Sequence, residues 1–366
     1  MLKSLLKEKA YLPILKMNDG TPVTAENWRE RRAELKEALE VYSYGRTPAL
    51  PLRVWGEVLE QEENAYAGKV RREKVQLSFE TEKGVMRYPI EIFVPKKEEK
   101  PPVLLHIAFR PVPDRYIPVE EITDGGYALV VVCYKDMVND NLHGDFSDGI
   151  AAHFGVEKDR KPEEWGKIGM WAYGASRVLD YILAERTDMD GSRVAVIGHS
   201  RLGKTALWCA AYDERFAAAV SNDSGYGGAA SSKYGTGETI DDFMHWGSWE
   251  WFCENFKNYQ GKENEKPYDQ SFLTAMIAPR YVLVNSAKYD KGADPLGEYL
   301  TTKHASAAWE ILGEKGLICP EDRLPECGEL FADGNVGYFY RDGMHFLSRE
   351  DWNAAMRFLD KKFGRK

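Results

Sequence analysis

Ser200, His345 and an aspartate, Asp290 or Asp223, are the residues of this chain whose types and order suit covalent chemistry. A serine hydroxyl is a weak nucleophile until a base takes its proton. A histidine can take it near neutral pH. A buried carboxylate fixes the tautomer of that histidine and stabilises the imidazolium as it forms. Ser200 lies in SRVAVIGHSRLGKTALW, where an apolar run stops at a Gly-x-Ser turn and a helical pattern follows. Serine, then aspartate, then histidine is the chain order of α/β-hydrolases. The backbone N–H of Arg201, at the start of that helix, points to where an oxyanion develops, and the guanidinium adds positive charge there.

The same segment fits a second chemistry. GHSRLGKT, residues 198–205, matches the phosphate-loop pattern G-x-x-x-x-G-K-[ST] in full. It stands between a strand and a helix, as such a loop requires, and Asp223 after FAAAVSN supplies a metal-binding acid. The nucleophile elbow is the imperfect match, because Leu202 stands where a second glycine is usual and Gly203 comes one residue later. Three features favour the elbow nonetheless. The residues between the glycines include His, Arg and Leu, whereas a backbone nest for phosphate prefers small ones. Buried strands and a long helix precede the motif, a position that suits the fifth strand of a hydrolase sheet. Asp290 and His345 downstream have no use in a phosphate loop.

Other reactive types have plainer readings. His199 packs beside the nucleophile. His106, His143, His153, His245 and His304 are structural or exposed. Asp294 precedes Pro295 and caps the helix that starts there. The cluster Trp246, Trp249, Trp251 and Phe252 reads as core before it reads as a sugar platform.

The elements that must position these groups follow from hydrophobic periodicity. Residues 24–42 carry a helical pattern through Trp28, Leu35, Leu39 and Val41. Residues 52–60 and 68–95 alternate, with a hairpin signal at ETEKG. Thereafter short continuous apolar runs, at 101–109, 127–134, 192–200, 216–223 and 279–287, read as strands buried on both faces. Helical stretches at 166–184, 202–212 and 349–363 alternate with them. This pattern predicts an α/β fold with a mostly parallel central sheet flanked by helices. The expected organisation is one domain over 1–366, with a helix and antiparallel strands in 1–100 and the catalytic core in 101–366.

Composition bounds the function. The 366 residues are enough for a sizeable core. The formal net charge is −9, and no basic face stands out to neutralise phosphates, which argues against nucleic acid as a partner. No apolar run is long enough to span a membrane. The five cysteines are odd in number and irregularly spaced, so they form neither a disulfide framework nor a zinc knuckle. The N-terminal segment lacks the features of a signal peptide, so a cytoplasmic protein is the expectation.

Several segments together carry a family resemblance. Gly198, Ser200, Arg201, Gly203, Lys204 and Ala206 fit the hallmark G-x-S-R-x-G-K-x-A. DGTPVTAENWRERRAEL with YSYGRTP, WGKIGMWAYGASRVLDYI, SNDSGYGGAA, WFCENFKNY, YDKGADPLGEYL and GMHFLSREDW match as well. Over nearly its whole length the chain resembles the glucuronoyl esterases, carbohydrate esterase family fifteen. That resemblance implies an α/β-hydrolase fold and hydrolysis of glucuronic acid esters, notably the 4-O-methyl-glucuronoyl esters that join xylan to lignin alcohols. It implies neither metal nor organic cofactor. By position it makes Ser200 the nucleophile, His345 the base and Arg201 an oxyanion stabiliser, with Lys204 and Glu238 on the sugar hydroxyls. The acid varies in the family, so Asp290 and Asp223 both stand. Many relatives carry Trp two residues after the first of these aspartates, where this chain has Gly292. With no export signal in view, a small uronate ester or oligosaccharide ester is the expected substrate. The competing expectations are another carbohydrate or acetyl esterase on the same fold, and a carbohydrate-binding protein without turnover.

Overall fold

Alternating apolar and polar side chains between residues 53 and 95 build three long antiparallel strands: β1 (Arg53–Ala65), β2 (Val70–Thr81) and β3 (Gly84–Pro95). The computed structural model describes residues 2–9, 11–231, 233 and 235–365. The hairpin at ETEKG joins β2 to β3, with Thr81 paired to Gly84 and Gly84 at φ +115°. The short apolar runs become β4 (Pro102–Ala108), β5 (Ala128–Cys133), β6 (Asp190–His199), β7 (Ala218–Asn222), β8 (Tyr281–Ala287) and β10 (Val336–Arg341). A two-residue strand, β9 (Leu330–Phe331), runs antiparallel to β10.

All ten strands form one sheet in the order β1-β2-β3-β5-β4-β6-β7-β8-β10-β9. β3 joins β5 in antiparallel register, Ile92 opposite Val130. From β5 to β10 every neighbouring pair is parallel. This is the mostly parallel sheet that the sequence pattern predicts.

The continuous apolar runs are explained by helices on both faces. The longer helices are α1 (Trp28–Leu39), α2 (Lys167–Glu185), α3 (Arg201–Tyr212), α4 (Pro295–Ala305) and α5 (Arg349–Lys362). Successive side chains of β6 go to opposite sides: Val194 and Val196 join the core containing Trp171 and Trp208, while Ala195 and Ile197 join the core containing Trp352 and Phe358. α1 is shorter than the 24–42 pattern. The Thr24 N–H donates to the Asn27 side chain at 2.7 Å, so these residues form a turn before the helix begins at Trp28. Beyond α1 a π-helical turn brings Tyr44 onto Trp208 of α3, ring centroids 4.5 Å apart. Among the described residues no helix is long and apolar enough to cross a membrane.

Candidate active site

β6 ends at His199 and α3 begins at Arg201, so Ser200 alone makes the turn. Its backbone sits at φ 57°, ψ −128°, a conformation that costs about 1–3 kcal/mol and persists only where its surroundings hold it. Here the Ser200 N–H donates to the Asn222 carbonyl at 2.9 Å, and the Ser200 carbonyl accepts from the N–H groups of Gly203 and Lys204. The imperfect elbow motif has a structural reason. A Cβ on Gly198 would lie 2.1 Å from the Leu202 carbonyl oxygen, and one on Gly203 would lie 3.0 Å from the Ser224 side chain. The glycines are needed where the helix meets the ends of β6 and β7. The position of Leu202 makes no such contact demand, and its side chain is buried core.

The turn also removes the phosphate-loop reading. A single residue separates strand from helix, so no loop is left to cradle phosphate. Lys204 lies inside α3, with its ammonium donating to the Ser224 carbonyl at 2.7 Å and to Glu238 at 3.0 Å.

Ser200 and His345 line one cavity of about 290 Å³ at the C-terminal ends of the parallel strands, the edge where open α/β sheets bind ligands. Arg201, His199, His106, Phe109, Tyr116 and Phe346 share that lining. His345 stands on the loop between β10 and α5, its side chain 45% exposed. Its Nδ1 pairs with Asp290 Oδ2 at 2.5 Å. Burial raises the Asp290 carboxyl, but the hydrogen bond and charge of His345 outweigh it and hold the group below the usual carboxylate value. The Ala293 N–H donates to its other oxygen at 3.2 Å.

Asp223, the other candidate acid, is engaged elsewhere. Its Oδ1 accepts from the Ala287 N–H at 2.7 Å and its Oδ2 from Arg341 at 3.1 Å. Burial, with Glu298 and Asp351 nearby, pushes its carboxyl well up despite Arg341. Its link to His345 is indirect. The Phe346 N–H approaches Oδ2 at 3.4 Å, and Arg341 donates to the carbonyls of Met344 and Phe346, on either side of His345. Arg341 also reaches Asp351 of α5 at 2.7 Å.

Ligand atoms of Asp223, Asp290 and His345 lie within 4.8 Å of one another, close enough for a metal ion. The fit is poor. The two carboxylates are committed to backbone N–H groups, to His345 and to Arg341, and the guanidinium opposes a second cation at the same place.

Two more histidines face the cavity. Burial and the neighbouring His345 push His199 down to about 3; its Nδ1 meets Asn222 Oδ1 at 2.6 Å, and its ring lies 4.4 Å from that of His345. Burial pushes His106 down to about 4. Both are neutral imidazoles at pH 7. His106 is buried and also lines the cavity.

Arg201 lies over Trp251, its guanidinium carbon 4.3 Å from the ring centre, and pairs with Asp140. Lys204 and Glu238, which the resemblance puts on the sugar hydroxyls, bond to each other and stand outside the lining of the cavity. Phe243 lies beneath the Lys204 ammonium and packs against Trp251, which ties that pair to the Arg201 side. Asp294 caps α4, accepting from the Gly297 N–H. Trp251 is buried, Trp246 is exposed, and Phe252 stacks on Phe256 within the core.

Comparison with known proteins accords with this geometry. The family described as glucuronyl esterase, fungi, matches residues 79–313. The chain belongs to the glucuronoyl esterase family. A carbohydrate esterase from an unknown prokaryotic organism is 34% identical, over 94% of this chain and 88% of its own length. The solved glucuronoyl esterase from Solibacter usitatus superposes with a TM-score of 0.88 at 32% identity, covering 97% and 98% of the two chains. A promiscuous esterase of carbohydrate esterase family 15, from a marine bacterial metagenome, superposes with a TM-score of 0.85 at 33% identity over 96% of each chain. As a member of the glucuronoyl esterase family, the protein is a carboxylic ester hydrolase with the α/β-hydrolase fold.

Sequence reasoning missed Asp140, Arg341 and Glu298. Glu298 lies under the turn after β7, accepting from the N–H groups of Ser224 and Gly225 at 2.8 and 2.9 Å, and burial pushes it up to about 8. Asp140 had a signal, since Asn139-Asp140-Asn141 follows a buried strand at its C-terminal end. Arg341 had a weaker one, as a charge closing an apolar strand four residues before His345.

Proposed function

We propose that this enzyme hydrolyses esters of glucuronic acid by two-step acyl transfer, with Ser200 as nucleophile, His345 as base and Asp290 as the acid that orients it. The observation that carries the proposal is the strained turn at Ser200 sharing one cavity with a His345 already paired to Asp290. Ser200 attacks the ester carbonyl and passes its proton to His345. The oxyanion forms against the Arg201 N–H and guanidinium. His345 returns the proton to the departing alcohol, and water then repeats the sequence on the acyl-enzyme. Asp290 holds Nδ1–H, so Nε2 is the nitrogen left to serve the serine.

The uronosyl ring belongs on the Arg201 side, where Trp251, Lys204 and Glu238 gather. The alcohol leaves toward Tyr116 and Phe346, whose rings meet edge to face at 5.3 Å. Gly292 offers no ring to stack on the sugar, which favours small uronate or oligosaccharide esters. Five free cysteines, three of them buried, suit a reducing compartment; recovery with the cytosolic fraction of the host checks that part.

The test of substrate class is hydrolysis of benzyl glucuronate against benzyl acetate, with Ser200→Ala as control. The expected result is a strong preference for the glucuronate and loss of both activities in the variant. Equal rates on the two esters would overturn the uronate reading and leave a general esterase.

A further inference from the structure

Arg201 does not stand free in the cavity. Its Nη1 donates to Asp140, while its Nε–H is buried and without a partner. The Asp140 side chain is only 2% exposed. A carboxylate so buried is costly unless paired, and it is paired with Arg201 of the cavity and with two aromatic side chains beside it. Its Oδ1 accepts the Trp251 indole N–H at 2.8 Å, and its Oδ2 takes the Tyr134 hydroxyl at 3.1 Å as well as Arg201. One carboxylate therefore holds both the guanidinium and the indole that lies across it.

The loop carrying Asp140 is itself clamped. The buried Lys167 ammonium donates to Asn139 Oδ1 at 3.2 Å and to the Asn141 carbonyl at 2.9 Å, the residues on either side of Asp140. The same ammonium meets Glu250, the residue before Trp251, at 2.6 Å, and both side chains of that pair are fully buried. Glu250 also accepts the Gly144 N–H. The ion pair thus joins the Asp140 loop to the Trp251 segment.

We propose that Asp140 is a positioning residue that aims Arg201 at the oxyanion, with the Lys167–Glu250 pair fixing Asp140 in place. An arginine free to rotate must give up side-chain entropy when the oxyanion forms, and one already clamped does not. The inference rests on the reading of Arg201 as oxyanion stabiliser.

The experiment is a double-mutant cycle on benzyl glucuronate with thermal unfolding alongside. Asp140→Asn is expected to lower kcat by about 100-fold with KM changed less than about 3-fold. In an Arg201→Ala background the same change is expected to cost almost nothing more, because the group it positions is gone. Tyr134→Phe, which removes one donor and keeps the ring, is expected to lower kcat by about 3-fold and to lose that effect in the same background. Wild-type kcat in Asp140→Asn, or losses that simply multiply in the double variant, would overturn the inference. If Asp140→Asn does not fold, the Tyr134→Phe cycle decides, and an unchanged kcat there counts against it. A fully active Arg201→Ala identifies a different failure, that of the reading beneath, and takes the inference with it.

Discussion

At the scale of residues, the two candidate acids separate by what they touch. Asp290 meets His345; Asp223 meets Arg341 and a backbone N–H. Asp290→Asn should therefore cost about 10³–10⁴-fold in kcat, because the amide favours the wrong imidazole tautomer. Asp223→Asn should instead cost about 1–3 kcal/mol of stability and leave kcat within about 10-fold of wild type. Steady-state kinetics and urea unfolding of both variants check the pair, and the reverse pattern would exchange their roles. The neutral histidines make a second prediction. His199 and His106 have folded values near 3 and 4, below the unfolded value of 6.5. Below pH 6.5 the unfolded chain binds more protons at these sites, so their contribution to stability falls as pH drops toward those folded values. Each should lose about 1.6 kcal/mol between pH 6.5 and 5. Urea unfolding at the two pH values should show a smaller loss in the double variant His106→Gln/His199→Gln, and an identical loss would refute the assignment.

At the scale of elements, the site is built where strand ends meet the helix and loops that follow them. The strand–turn–helix around Ser200 was legible because it is local: an apolar run, a glycine, a helical period. Its tolerance for change is small. Gly198→Ala drives a Cβ into the Leu202 carbonyl oxygen at 2.1 Å and should cost about 3 kcal/mol, with a matching fall in Tm. Wild-type Tm would mean that the elbow relaxes. The His345 loop depends on Arg341, which joins Asp223 at the end of β7 to Asp351 at the start of α5. Arg341→Met takes the shared cation from two buried carboxyl groups and should cost about 3–5 kcal/mol. Loss of activity at temperatures where the variant is still folded would show that the loop fails before the core does.

At the scale of the whole molecule, the antiparallel strands of the first hundred residues extend the parallel sheet. β3 covers the edge of β5 through Glu91, Ile92 and Phe93, opposite Val131, Val130 and Leu129. A chain beginning at Lys100 would present that apolar edge to solvent and to other copies. It should aggregate on refolding, and size-exclusion chromatography checks this; a soluble monomer with cooperative unfolding would show that the parallel part stands alone.

Residue order and periodicity were enough to determine the fold class and the strand and helix around Ser200, and they put forward Ser200 and His345, which line one cavity. Those features repeat over short stretches or follow the chain order of the fold. The tertiary structure alone set Asp290 rather than Asp223 against His345, spent Lys204 on Glu238, and brought Asp140 to Arg201. The physical reason is one of range. A carboxylate finds its partner within about 3 Å, and which partner that is depends on strand order and loop direction across segments 34 to 61 residues apart, which no local periodicity encodes.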